Sequence, residues 1–273
     1  MEQAQILLTN DDGIQSPGLW AAAEALSQLG FVHVVAPREQ SSGTGRSLPI
    51  TSDGLIHEHW MTVNGKSWKV YAVGGTPAQA VLHGMLEILP RIPDLVVSGI
   101  NYGENLGTGV TISGTVGAAL EASSLGVPAL AISLETEVHQ HLSYSDEVDF
   151  SSAGYFTRFF GHLLLTRRMP DDVLVLKVDI PCDATPDTPW EMTRLSRTRY
   201  YVPVPPERLA WDTPALVGYR QMGDPAQDDP DTDVYALRVK RVVAVTPLSL
   251  DLTSRVDLQA FENSLRLDFP ANR

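Results

Sequence analysis

The stretch that decides the fold is Ile6-Leu7-Leu8-Thr9-Asn10-Asp11-Asp12-Gly13-Ile14-Gln15-Ser16-Pro17-Gly18. It starts as an apolar run and ends in an amide, two adjacent carboxylates and a glycine. After Pro17, apolar residues recur at helical spacing through Leu19, Trp20, Ala23, Leu26 and Leu29, and Gly30 supplies a stop. This pattern reads as a buried strand, a polar turn and a helix. Val32-His33-Val34-Val35-Ala36 follows as a second strand, closed by Pro37. The three elements form a βαβ unit with parallel strands. In an open α/β sheet, ligands bind outside the carboxyl ends of the strands, and Asp11 and Asp12 stand there. Two carboxylates so placed repel unless something positive sits between them. A divalent cation is the simplest candidate, because hard cations prefer oxygen. The competing reading is an Asx-type turn that caps the helix.

The rest of the chain narrows the class. Its 273 residues suit one large α/β domain, or a domain with an arm, and 43% hydrophobic residues allow a sizeable core. A formal net charge of -13 argues against nucleic-acid duplexes and anionic membrane surfaces. It leaves room for a small phosphorylated substrate, since a bound metal inverts the local field. The single cysteine, Cys182, excludes an intrachain disulfide framework and reads as inert. The N-terminus lacks a basic n-region, so it does not resemble a signal peptide, and no apolar run approaches the ~18 residues of a membrane span. A reducing cytoplasm is the expected location.

Further along, the polar loop 38–47 leaves the second strand beside the acidic pair. Residues 48–73 predict a hairpin turning at Asn64-Gly65. Thr76 and Pro77 open a helix to about Leu89, with Thr76 as N-cap. Leu95-Val96-Val97-Ser98 is a third core strand followed by a glycine-rich loop, 99–109. Ser113-Gly114-Thr115 starts a helix from Val116 to about Leu125, and Ala129 to Ser133 is another buried strand. An amphipathic helix over 150–168, a strand over 173–178, a strand over 242–246 and a C-terminal helix complete the core. The stretch from Pro181 to Thr232 reads as hairpins and loops outside the main sheet, and the run Asp224 to Asp233 as a solvated loop. The expected organisation is one unit over 1–273: a core of about 1–180, an arm and loops of about 181–235, and a last strand with C-terminal helix of about 236–273.

Ser41, Ser42, Asn101, Asn105, Ser113 and Thr115 all follow buried strands or start helices. They are neutral oxygen and amide groups suited to completing a magnesium or manganese shell beside carboxylates. The exposed N–H groups at Ser113-Gly114-Thr115 favour a phosphate; taken alone a plain Ser or Thr N-cap accounts for them better, and Gly114 tips the balance only in company with the acidic pair. Several motifs fail on inspection. Gly65-Lys66-Ser67 lacks the first glycine of a P-loop, and Thr111 to Thr115 lacks the flanking glycines of a nucleophile elbow. The pairs His57/His59 and His139/His141 read as exposed loop or hairpin histidines.

These residues together resemble the SurE family of metal-dependent nucleotidases. The resemblance rests on Leu8-Thr9-Asn10-Asp11-Asp12-Gly13-Ile14, Ser42-Gly43, Gly75-Thr76-Pro77, Asp94 to Asn101, Asn105-Leu106-Gly107, Ser113-Gly114-Thr115-Val116, Thr232-Asp233 and Thr246-Pro247-Leu248 in that order. It implies a Rossmann-like, mostly parallel sheet with helices on both faces, plus an extended hairpin arm and C-terminal helix exchanged between subunits of a homodimer or homotetramer. It implies hydrolysis of nucleoside monophosphates to nucleoside and phosphate. By family pattern, Asp11, Asp12, Ser42 and Asn101 hold one divalent ion, Mg2+ or Mn2+, with Asp11 and Asp12 catalytic. Asn10, Gly43, Ser113, Gly114 and Thr115 surround the phosphate, and the nucleophile is either metal-activated water or Asp11. Three positions depart from the pattern: Ile112, Asp179 in place of asparagine, and Asp231 in place of glycine. The alternative class is a non-enzymatic nucleotide- or metal-binding switch. A receiver-type switch needs a phosphoacceptor Asp after the third strand, where this chain has Ser98-Gly99.

Overall fold

The computed structural model describes residues 3–141, 144–145, 147–208 and 210–267. The opening apolar run is β1 (Gln5–Thr9). Strand alternation sends its side chains to two faces. Ile6 and Leu8 enter one core with α1 (Pro17–Leu26) and α4 (Ser151–Thr166). Leu7 enters the other with α2 (Pro77–His83) and α3 (Gly114–Ser124). Both faces of the sheet are therefore covered by helices, which is why its strands read as continuous apolar runs.

β1 pairs in parallel with β2 (Phe31–Pro37) on one side and with β5 (Leu95–Tyr102) on the other. The hairpin β3 (Ile56–Val63) and β4 (Lys66–Val73) extends the β2 edge, with Asn64 (φ 50°) and Gly65 (φ 71°) in the left-handed turn that two-residue hairpins favour. Beyond β5 come β6 (Ala129–Leu134) and β7 (Val175–Ile180), both parallel. Then β11 (Val243–Leu248) runs antiparallel to β7, with β8 (Trp190–Met192) at its edge. Among the described residues the sheet order is β3-β4-β2-β1-β5-β6-β7-β11-β8. The mostly parallel α/β fold expected from the sequence is the fold the chain adopts. Thr76 makes the expected cap: its hydroxyl accepts from the Gln79 N–H while the Gln79 side chain accepts from the Thr76 N–H.

Four local expectations need correction. β5 does not stop at Ser98 but continues through Tyr102, with a register shift between Ser98 and Asn101 against β6. The helix begun at Pro77 changes to a wider turn over Gly84–Ile88. The Pro181–Thr232 stretch is not wholly outside the sheet, because β8 joins it. Among the described residues only β9 (Tyr201–Val204) and β10 (Gly218–Gln221) form a separate hairpin. Finally, the acidic run ending at Asp233 is not all solvated. Asp233, which opens the short helix α5 (Asp233–Tyr235), is fully buried.

Asp233 is buried because it has a partner. Lys177 and Asp179 on β7 are also fully buried, and Lys177 Nζ bonds both Asp179 and Asp233, the latter at 3.0 Å. The three side chains clamp the loop after β5. Lys177 donates to the Asn105 carbonyl (2.9 Å), Asp179 accepts from the Asn105 N–H (2.7 Å), and Asp233 accepts from the Gly107 N–H (3.0 Å). At the other end of the chain, α6 (Leu258–Leu267) exposes Leu258, Phe261 and Leu265 at helical spacing.

Candidate functional site

β1 lies between β2 and β5, where the strand order reverses direction, so the crossovers on either side diverge and leave a crevice at its carboxyl end. The turn that fills this position is built by Asn10. Its side-chain amide donates to the Gly13 carbonyl (3.0 Å) and its carbonyl oxygen accepts from the Gly13 N–H (3.2 Å). Gly13 closes the turn at φ 96°, a conformation that disfavours any side chain. The loop after β2 is zipped to this turn through Ser41 N–H to the Asp11 carbonyl (2.7 Å) and Ile14 N–H to the Pro37 carbonyl (2.8 Å).

Asp11 points at the start of α3. Thr115 Oγ1 donates to Asp11 Oδ1 at 2.5 Å. A Cβ on residue 114 would lie 2.7 Å from Asp11 Cβ and 2.8 Å from its Oδ2, so only glycine admits this approach. Ser113 caps the helix, its Oγ accepting from the Val116 N–H at 3.1 Å. The anion-favouring helix start is thus already held by a carboxylate of the protein itself. Burial pushes the Asp11 pKa up, opposed by the Thr115 hydroxyl and the helix N–H groups. Asp12 is 2% exposed, and its carboxyl is pushed well above the ordinary range, by burial first and then by the charge of Asp11. Its partners are the Tyr102 N–H (3.2 Å to Oδ2) and the Gln40 side-chain amide (3.3 Å to Oδ1), while Tyr144 Oη donates to its carbonyl (2.8 Å). All of these donors are neutral. The pair is an uncompensated negative site that a bound cation would relieve.

Asp11, Ser42, Gly43, Asn101 and Ser113 line one cleft of about 370 Å³. Asn101 donates its amide to the Gly103 carbonyl (2.6 Å) and the Tyr102 carbonyl (3.2 Å), which leaves its side-chain oxygen as a ligand atom. Two carboxylates, an amide oxygen and a serine hydroxyl make a hard-oxygen set, which fits magnesium or manganese better than a soft metal. Asn10 is different. It is fully buried and committed to Gly13, so its contribution is to the turn. A second group of possible ligands, Glu135, Cys182 and Asp183, lies elsewhere. Arg241 bridges Glu135 (2.7 Å) and Asp183 (2.5 Å), and Arg238 adds a third contact (2.7 Å), so cations of the protein already neutralise it.

The sequence reading missed several residues around the cleft. Gln40 and Tyr102 hold Asp12, yet Gln40 sits unmarked in a polar loop and Tyr102 acts through its backbone. His141, expected on an exposed loop, instead lines the cleft beside Glu104, Arg199, Tyr201 and Tyr219. No periodicity marks those positions. The Tyr200-Tyr201 pair, opening a short strand after an irregular stretch, was the available signal.

Residues 6–202 match the family model described as "Survival protein SurE". The chain belongs to the SurE family. It is 44% identical over 262 residues to the 5'-nucleotidase SurE of Thermococcus gammatolerans, covering 96% of each chain. It is also 44% identical over 260 residues to the 5'-nucleotidase SurE of Archaeoglobus fulgidus, covering 94% of this chain and 96% of that one. Among solved structures it is similar to the SurE protein from Aquifex aeolicus, with a TM-score of 0.74 and 32% identity over 97% of this chain and 100% of the other. Within this SurE chain, the three departures from the family pattern fall at distinct places. Ile112 lines the cleft and is 52% exposed. Asp179 belongs to the buried ionic cluster. Asp231 pairs at the surface with Arg194 (2.8 Å).

Proposed function

We propose that this chain is a divalent-metal-dependent phosphomonoesterase that hydrolyses nucleoside monophosphates to nucleoside and phosphate; its relatives are named 5'-nucleotidase. The observation that carries the reading is the buried Asp11–Asp12 pair at the head of β1, which has no cationic partner among the described residues and whose Asp11 faces a cleft with hard-oxygen donors. Asp11, Asp12, Ser42 and Asn101 would hold one Mg2+ or Mn2+. When bound, that ion supplies Lewis-acid polarisation of a phosphate oxygen.

The chain supplies the frame for the reaction. Thr115 and Gly114 fix Asp11, while Gln40 and the Tyr102 N–H fix Asp12. Ser113 Oγ accepts from the helix, so its own O–H remains to donate to a phosphate oxygen. Gly43 and Arg199 flank the same space, and Arg199 is the cationic side chain of the cleft wall that can meet an anionic substrate. Net hydrolysis breaks the ester P–O bond and adds the oxygen of water to phosphorus, either directly or after attack by Asp11, with one proton of that water ending on the nucleoside hydroxyl and the other on phosphate. Incubation with nucleoside 5'-monophosphates is expected to release inorganic phosphate with Mg2+ or Mn2+. A chelator should reduce this to background, and re-addition of metal should restore it. Chelator-resistant turnover would remove the metal from the account.

No helix among the described residues is long and apolar enough to cross a membrane. The exposed apolar face of α6 supports exchange of the C-terminal helix between subunits of a homo-oligomer. Light scattering should give a multiple of the chain mass for the full chain and a smaller assembly for a version ending at residue 253. An unchanged mass would refute the exchange.

A further inference from the structure

β2 and β4 lie side by side but pair only over Val35–Pro37 and Tyr71–Val73. Upstream of that contact both strands continue, β2 from Phe31 and β4 from Lys66. Their unpaired halves border a cavity of about 690 Å³. Phe31 is level with Gln5 at the start of β1, whereas Asp11 and Asp12 follow its end. The cavity therefore lies at the opposite edge of the sheet from the acidic cleft, and the two share no lining residue. Rings and cations make its walls. Phe31 and His33 stand on β2 with ring centroids 4.7 Å apart, and Trp68 and Tyr71 stand on β4. Lys66 and Lys69 complete them, and no carboxylate is among the described lining residues, although the chain has a net charge of -13. The lysines of this chain are Lys66, Lys69, Lys177 and Lys240. Lys177 is held in the buried ionic cluster and Lys240 by Glu191 at 2.6 Å. Lys69 bonds Glu58 on the outer strand and lies 5.5 Å from the centre of the Tyr71 ring. Lys66 is exposed and makes no ion pair among the described residues.

We propose that this cavity is a second ligand site, separate from the acidic cleft, for a small anion joined to a flat ring, which is the chemistry of a nucleotide. The proposal goes beyond the phosphomonoesterase reading and does not depend on it. The cavity falls within the range of small-molecule sites, about 300–1,000 Å³, and such sites set a few placed polar groups among apolar walls. A recess lined by one sign of charge focuses the field and concentrates ions of the other sign. Here it is a positive recess on an acidic chain. The ammonium of Lys66, free of a carboxylate, is a point charge suited to a phosphate. The rings of Phe31, Trp68 and Tyr71 suit the other half of the ligand, because a base stacks on any aromatic face. A phosphate alone would leave the rings uncovered. An uncharged ring would dehydrate Lys66 without compensation.

The test uses the full-length protein in chelator, with adenosine 5'-diphosphate, adenosine and inorganic pyrophosphate as probes in calorimetry. The site of binding is located by photo-crosslinking 8-azidoadenosine 5'-diphosphate and mapping the adducts by mass spectrometry. Adenosine 5'-diphosphate should bind more tightly than either of its halves, with adducts in residues 31–33 and 66–71. Lys66→Glu, a change at an exposed position, should raise the Kd for adenosine 5'-diphosphate about tenfold or more and abolish those adducts. It should leave kcat/KM on nucleoside monophosphates, measured with metal and no diphosphate present, at the wild-type value. Adducts confined to the residues of the acidic cleft overturn the proposal, as does a Kd that Lys66→Glu leaves unchanged or a wild type that does not bind adenosine 5'-diphosphate. Pyrophosphate binding as tightly as the nucleotide would remove the ring from the ligand class, and adenosine doing so would remove the anion; either result overturns it.

Discussion

Asp12→Asn is expected to lower metal-dependent phosphate release by about a thousandfold or more while leaving the chain folded. Asparagine keeps the shape and one acceptor oxygen, so one of the two bonds, from the Tyr102 N–H or from Gln40, can persist. What is lost is the second negative charge that draws a cation against the cost of dehydrating it. The same change should stabilise the metal-free protein. Burial and the neighbouring Asp11 raise the Asp12 pKa above its ordinary 3.8, so the folded state holds a proton that the unfolded state releases. Stability of the metal-free chain from this group is therefore greatest at low pH and falls as pH rises from about 4 through the raised value. Asparagine removes that loss. Melting curves of the metal-free wild type and variant across this window should converge in acid and separate, variant higher, toward neutrality. A variant with wild-type turnover would remove Asp12 from the site.

Lys177→Met is expected to be the most damaging change away from the acidic pair. It would leave Asp179 and Asp233 buried with no counter-charge, and breaking a buried ion pair by removing one partner costs about 3–5 kcal/mol. For a chain of this size that corresponds to a fall in Tm of about 10 °C. Because the same ammonium holds the Asn105 carbonyl, the cleft loop should loosen as well, and KM should rise. Adding Asp179→Asn and Asp233→Asn to Lys177→Met removes the orphaned charges and should recover much of the loss. Calorimetry on the single and triple variants checks this. A Tm within about 2 °C of wild type for Lys177→Met would show that the cluster carries little of the fold's stability.

These two sites differ in how far they could be read from sequence. The strand–turn–helix around Asp11 and Asp12 is a local pattern, since apolar run, acidic turn and helical spacing all fall within residues 6–29. The sheet class followed from it and from the later apolar runs. The roles of Asn10 and Thr115 were not legible. The resemblance puts Asn10 at the phosphate, whereas its bonds to both the Gly13 N–H and the Gly13 carbonyl are a turn closure that no spacing announces. Ser113-Gly114-Thr115 reads from sequence as an N-cap or a phosphate site. The β1–β5 pairing brings Asp11 onto that helix start, which no local spacing encodes. Asp233 was hidden inside an acidic run. Its partner Lys177 lies 56 residues away, and nothing near Asp233 distinguishes it from its solvated neighbours. The aromatic wall was similarly out of reach, since His141 and Tyr219 are 78 residues apart.

The central claim is that Asp11 and Asp12 together hold one divalent ion. It is tested most directly by titrating Mn2+ into metal-free protein and counting bound ions by electron paramagnetic resonance. The wild type should bind one ion per chain at the acidic pair, and Asp12→Asn should lose that ion in parallel with its turnover. An unchanged stoichiometry and affinity in the variant would contradict the account.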